Sequence, residues 1–333
     1  MIFIAGALPS LGAAFLIGLS FAALIAGIGF RIGLADVPNE RSSHRRPVPR
    51  GGGVGIPVAA ALVMLGWNGQ IQPFLIAALA VSFIAMLTDF HELPVKLRFL
   101  VHISLAGALV WLCKGEMLSL LAQRHGLLLT AIAIVILVLF IVAGTNFFNF
   151  MDGINGIAGF QGVVSFGMLG LFALFHKGEQ DIALLAFVVA VASVGFLILN
   201  FPNARVFMGD VGSIFLGFLF CALAVILFKD VKEFLILALF NGVFYVDCVS
   251  TVLLRLYRRE NVLQAHRKHL YQELVHKAGW PHYKVTLTYA TVQLLVGAGA
   301  MMLLRLNVIS AVLLWFGLFV VYWSVRRRFG FFG

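Results

Sequence analysis

One pattern limits what this chain can become. Apolar runs, most of them about as long as a bilayer's hydrocarbon core is thick, follow one another from end to end with short polar loops between them. They fall at about 5–30, 52–67, 72–88, 97–113, 127–145, 157–175, 182–199, 213–228, 233–254, 287–304 and 307–325. Charged residues make up 11% of the chain, against roughly 25% in soluble domains, so water is not its solvent. The pattern predicts an all-α polytopic membrane protein of about eleven transmembrane helices, forming a single domain over 1–333. No Lys or Arg precedes the first run, which outlasts a signal-peptide core and reads as a retained helix. Cys113, Cys221 and Cys248 sit singly in apolar runs and suggest neither disulfides nor a thiolate metal site.

Basic residues orient such a chain, because Lys and Arg stay on the cytoplasmic side. If the loop after the first helix is cytoplasmic, 18 of the 24 Lys and Arg residues fall on that side and 6 on the other. The N-terminus is then outside and the C-terminus cytoplasmic. The same sorting puts five polar segments on the cytoplasmic face: 34–51, 88–97, 145–156, 200–212 and 255–285. An active site assembled from helix ends needs such convergence. No nucleic-acid partner is expected, and membrane lipids are.

Three of these segments carry carboxylates. Residues 145–159 read TNFFNFMDGINGIAG, with Asn146, Asn149, Asp152 and Asn155 at steps of three, which on a helix end forms one polar stripe. Ordinary helix capping is the plainer reading of an Asn-Asp-Gly cluster, and the density of polar groups so close to the membrane argues against it. Residues 200–213 read NFPNARVFMGDVGS, a glycine-flanked turn into a helix, where backbone N–H groups and the helix dipole favour phosphate. Asp210 there is either a cap or a ligand for Mg²⁺, which is often held by one or two carboxylates plus substrate phosphates. Asp89, in TDFHELP, closes the third run and alone reads as a solvated helix end. Together Asp89, Asp152 and Asp210 form a candidate catalytic set able to attract a divalent ion.

Two basic loops complete the pattern. The first, DVPNERSSHRRPVPRGGG, offers Arg45, Arg46 and Arg50 before a glycine run. The second, HRKHLYQ, places His266 and His269 one helical turn apart around Arg267. Such loops often serve topology and lipid headgroups alone. They also suit a pyrophosphate nucleotide, since guanidinium forks fit phosphate oxygens.

With these motifs the chain resembles the polyprenyl-phosphate N-acetylhexosamine-1-phosphate transferases, glycosyltransferase family 4, from about residue 34 to 285. The likeness is strongest over Asn146–Gly156, Phe207–Ser213 and the loop at His266, and HRKHLYQ after RREN looks most like the O-antigen-initiating branch. It is unlike the three-histidine run of the muramoyl-pentapeptide translocases. The resemblance implies a bacterial inner-membrane enzyme that takes a UDP-activated N-acetylated sugar, accepts it on undecaprenyl phosphate, uses Mg²⁺ or Mn²⁺ and releases UMP. A homodimer is the candidate assembly. By position, Asp210 and Asp152 resemble metal-site residues. Asn146, Asn149, Asn155, Phe207, His266, Arg267 and His269, with Arg45, Arg46 and Arg50, are the candidate substrate-binding set. One departure stands out: the family usually has two adjacent aspartates where this chain has Thr88-Asp89. The missing carboxylate is one proposed to activate the acceptor, a role that an already anionic lipid phosphate makes dispensable.

A membrane transporter is the alternative from another class. Its site is expected near the bilayer midplane, in broken helices related by internal repeats. No repeat is evident here, and of the acidic residues singled out only Asp247 lies inside an apolar run. A non-catalytic membrane scaffold explains none of the clustering.

Overall fold

The computed structural model describes residues 2–38, 43–44, 46–65, 71–91, 93–261, 264 and 266–331. Each of the eleven apolar runs contains helix. In chain order these are α1 (Ile2–Ile28), α2 (Gly55–Val63, entered through a 3-10 turn at Gly52–Val54), α3 (Gln72–Phe90), α4 (Val95–Phe150), α5 (Ile157–Leu171), α6 (Gln180–Asn200) and α7 (Asp210–Leu227). There follow α8 (Val231–Leu239), α9 (Gly242–Tyr257), the short α10 (Leu270–His276), α11 (His282–Met302) and α12 (Val308–Arg328). The only strands among the described residues are β1 (Ala35–Asp36) and β2 (Val48–Pro49), an antiparallel ribbon pairing Ala35 with Pro49 and Asp36 with Val48. The chain is a multi-pass membrane protein.

Among the described residues, eight helices are long and apolar enough to cross a bilayer, or nine if α8 and α9, bent by 89°, form one span. The helix α4 holds two of the apolar runs. At 56 residues it is far longer than the ~20 a crossing needs, and Gly126 inside it takes the non-helical φ of 86°. Arg98 near its start and Asn149 near its end both bond Asp210, so the chain must double back at Gly126. Nine spans with α4 counted twice make ten. The eleventh run corresponds to the 12 residues of Gly52–Val63, too few to cross alone, so the expected count of eleven crossings is not reproduced.

The helix α7 is the hub, buried along nearly its whole length and packed by α3 and α4. Backbones approach closely where side chains are absent. A Cβ on Gly18 of α1 or Gly195 of α6 would run into the backbone of the other helix. Small residues serve this purpose in membranes, where lipid leaves no hydrophobic drive between helices and packing must supply it.

Glycines also set the geometry near the helix ends. Gly52 and Gly53 donate their N–H groups to the Phe207 and Met208 carbonyls at 2.9 Å each, and the Phe207 N–H returns to the Pro49 carbonyl at 2.8 Å. Segment 206–209 is thereby laid against segment 49–53. Gly209 has φ 76°, where L side chains are strained, and a Cβ there would stand 2.7 Å from Gly51 N and 2.9 Å from Asp89 Oδ2. Gly209→Ala is therefore expected to cost roughly 1–3 kcal/mol and to lower the melting temperature of the detergent-purified protein by several degrees. An unchanged melting temperature would show that the turn yields more easily than this packing implies.

Candidate active site

A cavity of about 330 Å³ opens at the face where these helix ends meet. Its walls come entirely from the five polar segments: Asp36, Ser43, His44 and Arg50; Asp89; Asn149 and the turn from Asp152 to Asn155; Asn200, Phe207, Gly209 and Asp210; and Gln272 with His282. The β1–β2 ribbon closes the base of the first basic loop and so presents Asp36, His44 and Arg50 to the cavity. The edge of His44 meets the Phe207 ring, with centroids 4.9 Å apart.

Asp210 opens α7 and is held from two sides. Asn149 Nδ2 donates to its Oδ1 at 2.8 Å and to the Ser213 hydroxyl at 2.9 Å, while Arg98 Nη1 lies 3.3 Å from its Oδ2. Both partners come from α4, so the doubled helix grips the carboxylate between its two ends. Asp89 has a different task. It is buried, and its oxygens accept the backbone N–H groups of Asp210 and Val211 at 3.2 Å each. Arg50 Nε stands 3.9 Å from its Oδ1, and Arg50 Nη2 donates to its backbone carbonyl at 2.6 Å. The expectation that this helix start offers free N–H groups to phosphate is thus corrected: a carboxylate 121 residues away already caps it. Thr88 turns away, its hydroxyl donating to the Ile84 carbonyl at 3.1 Å in its own helix.

Asp152 sits on the turn between α4 and α5, and among the described residues no hydrogen-bond donor is aimed at its carboxylate. Burial, then the nearby Asp210 and Asp89 carboxylates, push it up to about 7. The turn itself is firmly held. Gly156, at φ 82°, donates its N–H to Asn200 Oδ1 at 2.7 Å, Thr286 donates to the Asn155 carbonyl at 2.8 Å, and Asn155 Nδ2 donates to the Pro202 carbonyl at 2.9 Å.

Other expected site residues lie elsewhere. Asn146 bonds back to the Val142 carbonyl in its own helix at 2.7 Å and does not line the cavity, and Arg46 is exposed away from it. Arg45 falls outside the described residues. His266 and Arg267 are half-buried off the cavity wall, and burial with the nearby His269, Arg255 and Lys268 pushes His266 down to about 4, leaving it neutral. His269 is buried, its Nδ1 3.4 Å from Asp247 Oδ1. Helix begins only at Leu270, yet the rings of His266 and His269 still meet, with centroids 4.9 Å apart. Sequence reasoning missed Arg98, Asn200, Gln272, His44 and His282. Four of them lie inside the polar segments read from the sequence and Arg98 just past the end of one, with His44, Asn200 and Gln272 within the quoted motifs themselves, but nothing local marked them from their neighbours.

Comparison with known proteins shows what this chain is similar to. The sequence profile described as glycosyl transferase family 4 matches residues 71–228, which span Asp89, Asn149, Asp152 and Asp210. Over these residues the chain is similar to glycosyl transferase family 4. A Bacillus subtilis protein named as a probable undecaprenyl-phosphate N-acetylglucosaminyl 1-phosphate transferase is 26% identical over 307 residues, covering 90% of this chain and 84% of its own length. The Yersinia pestis undecaprenyl-phosphate alpha-N-acetylglucosaminyl 1-phosphate transferase is 27% identical over 61% of this chain and 58% of its own length. A Bacillus pumilus phospho-N-acetylmuramoyl-pentapeptide-transferase is 32% identical, over 37% of this chain and 36% of its own length. These likenesses support a membrane phosphotransferase.

A divalent cation fits the cavity. Among the described residues no three His, Cys, Asp or Glu side chains gather closely enough to hold a metal by themselves. Two carboxylates, Asp152 and Asp210, face the same space, and the first lacks an internal donor and is disfavoured as an anion by its neighbours. That suits Mg²⁺, which keeps part of its shell for water and substrate oxygens, better than an ion needing a preformed protein cage.

Proposed function

We propose that this protein transfers an N-acetylhexosamine-1-phosphate, or a deoxy derivative, from a UDP-sugar to undecaprenyl phosphate at the cytoplasmic face of a bacterial inner membrane. The product starts a lipid-linked surface polysaccharide such as O-antigen. The observation that carries the reading is the cavity itself, where carboxylates and Arg50 from separate helix ends meet at one face of a multi-pass bundle. A nucleotide sugar can enter there from water while a polyprenyl phosphate presents its headgroup from the bilayer.

In this reading an acceptor phosphate oxygen forms a bond to the β-phosphorus of the donor, and the bond from that phosphorus to the bridging oxygen breaks. UMP leaves with the bridging oxygen and its electron pair. A bound Mg²⁺ or Mn²⁺ would neutralise charge on the pyrophosphate, with Asp152 and Asp210 as its protein ligands. Arg50 holds phosphate charge at the cavity wall, and Phe207 with His44 offers aromatic surface to the uncharged part of the donor. Arg98 and Asn149 orient Asp210, and Asp89 fixes the start of α7 beneath it. Positioning and charge stabilisation supply most of the catalysis in such a transfer, so no strong base is demanded. Asp247, fully buried, hydrogen-bonded and off the cavity wall, takes no part as a base in this reading.

Phosphorus labelling tests the bond assignment. A donor labelled at its β-phosphorus should pass the label to the lipid, whereas a donor labelled at the α-phosphorus should release it as UMP. Release of UDP would instead mean that the sugar alone moves.

The titration of Asp152 gives a pH prediction. Below about 7 its carboxyl holds a proton that a cation must displace, so divalent affinity falls as pH drops through 7 and rises above it. The Mg²⁺ concentration giving half-maximal rate should therefore decrease between pH 6 and pH 8, a dependence that Asp152→Asn should flatten. A pH-independent Mg²⁺ requirement in the wild type would take Asp152 out of the cation site.

A further inference from the structure

Asp247 lies inside α9, off the cavity wall and fully buried. A carboxylate there is costly unless its lone pairs are occupied. Its Oδ1 accepts the Leu270 N–H at 2.9 Å and the Thr251 and Tyr322 hydroxyls at 3.2 and 3.3 Å. Its Oδ2 accepts the Tyr289 hydroxyl at 2.7 Å and the Tyr271 N–H at 3.3 Å. Leu270 and Tyr271 are the first two residues of α10, so Asp247 caps that helix from a neighbouring one.

The cap fixes where Tyr271 points. Its ring is fully buried, and its hydroxyl donates to the Phe150 carbonyl at 3.0 Å. Phe150 is the last residue of α4, where carbonyls lack helical partners, and Asp152 follows two residues on. The same hydroxyl lies so close to Gly153 that a Cβ on that residue would collide with it. The turn bearing Asp152 is thus wrapped around one buried oxygen. Arg326, also buried, braces the other end of this assembly by donating to the Tyr322 hydroxyl at 2.8 Å and to the Lys268 carbonyl at 3.2 Å.

We propose that Asp247 and Tyr271 are positioning residues for Asp152, with the cap on α10 aiming the Tyr271 hydroxyl that sets the turn between α4 and α5. The inference rests on Asp152 being a cation-site carboxylate. Neither residue lines the cavity, so they act on substrate through the turn alone.

Tyr271→Phe removes a single oxygen and is the discriminating variant in the full-length, detergent-purified protein. It should raise the Mg²⁺ concentration for half-maximal UMP release about 10-fold, as loss of an outer-shell partner typically does. Binding of Mn²⁺, followed by paramagnetic resonance without turnover, should weaken by a similar factor. The KM for undecaprenyl phosphate should stay within about twofold, since the acceptor does not depend on this turn. Gly153→Ala should lose more, and Gly153→Ala combined with Tyr271→Phe should regain part of that loss because the collision is relieved. A Tyr271→Phe protein with wild-type metal dependence would overturn the relay if Asp152→Asn shifts that dependence. If Asp152→Asn leaves it unchanged too, the cation site and the relay fall together. A lowered melting temperature with unaltered metal dependence would also overturn the proposal, by making Tyr271 only a packing residue.

Discussion

Asp210→Asn is expected to lower transfer by roughly 100-fold or more while the protein still folds and inserts, a loss beyond what an outer-shell partner usually carries. The substitution keeps the shape of a side chain that Asn149 and Arg98 hold from two sides. It removes the charge for which a divalent ion would bind there, and it leaves Arg98 without its carboxylate partner. Two observables separate these effects. Raising Mg²⁺ should recover part of the activity if ligation is what was lost. Arg98→Gln, which spares the carboxylate, should cost less and should shift KM for the donor more than the metal requirement. Near wild-type turnover of Asp210→Asn at limiting Mg²⁺ would remove Asp210 from the cation site.

Asp89→Asn is expected to be damaging for another reason. Both carboxylate oxygens accept backbone N–H groups at the start of α7, and an amide would turn one of those acceptors into a donor facing a donor. The start of α7 carries Asp210, so a fault in the cap displaces the cation site as well. A loss of about 10- to 100-fold in rate, together with a lower melting temperature, is the expected outcome. Thr88→Ala, one residue away, should remain within about twofold of wild type because its hydroxyl bonds only within its own helix. The contrast matters because Thr88 stands where the resemblance leads one to expect an additional aspartate. A severe Thr88→Ala defect would mean that this position takes part in the reaction after all, and a harmless Asp89→Asn would show that the cap is dispensable.

The residues that the sequence made legible are those whose meaning is local. Asn149, Asp152 and Asp210 announce themselves through short polar motifs at the ends of apolar runs, and all three reach the cavity. The five polar segments were visible for the same reason, since charge and glycine interrupt an otherwise apolar chain. Roles that depend on distant pairing were not legible. Nothing near Asp89 says that its partners are N–H groups 121 and 122 residues later, and nothing near Asp247 says that it caps α10. His269 stands beside His266 as its spacing suggests, but it lies off the cavity wall with its Nδ1 3.4 Å from Asp247 Oδ1, a pairing that nothing nearby in the chain announces. The break near Gly126 was legible as the gap between the runs at 97–113 and 127–145, but that its two arms meet at Asp210 through Arg98 and Asn149 was not.

The most direct test of the central claim is a product assay with the purified protein in detergent, supplied with undecaprenyl phosphate, Mg²⁺ and a panel of UDP-N-acetylhexosamines and their deoxy derivatives. The account predicts that at least one donor gives UMP and a lipid-linked sugar pyrophosphate in equal amounts, and that Asp210→Asn gives neither at a comparable rate. Binding of UDP-sugars without any lipid product across the whole panel would contradict it.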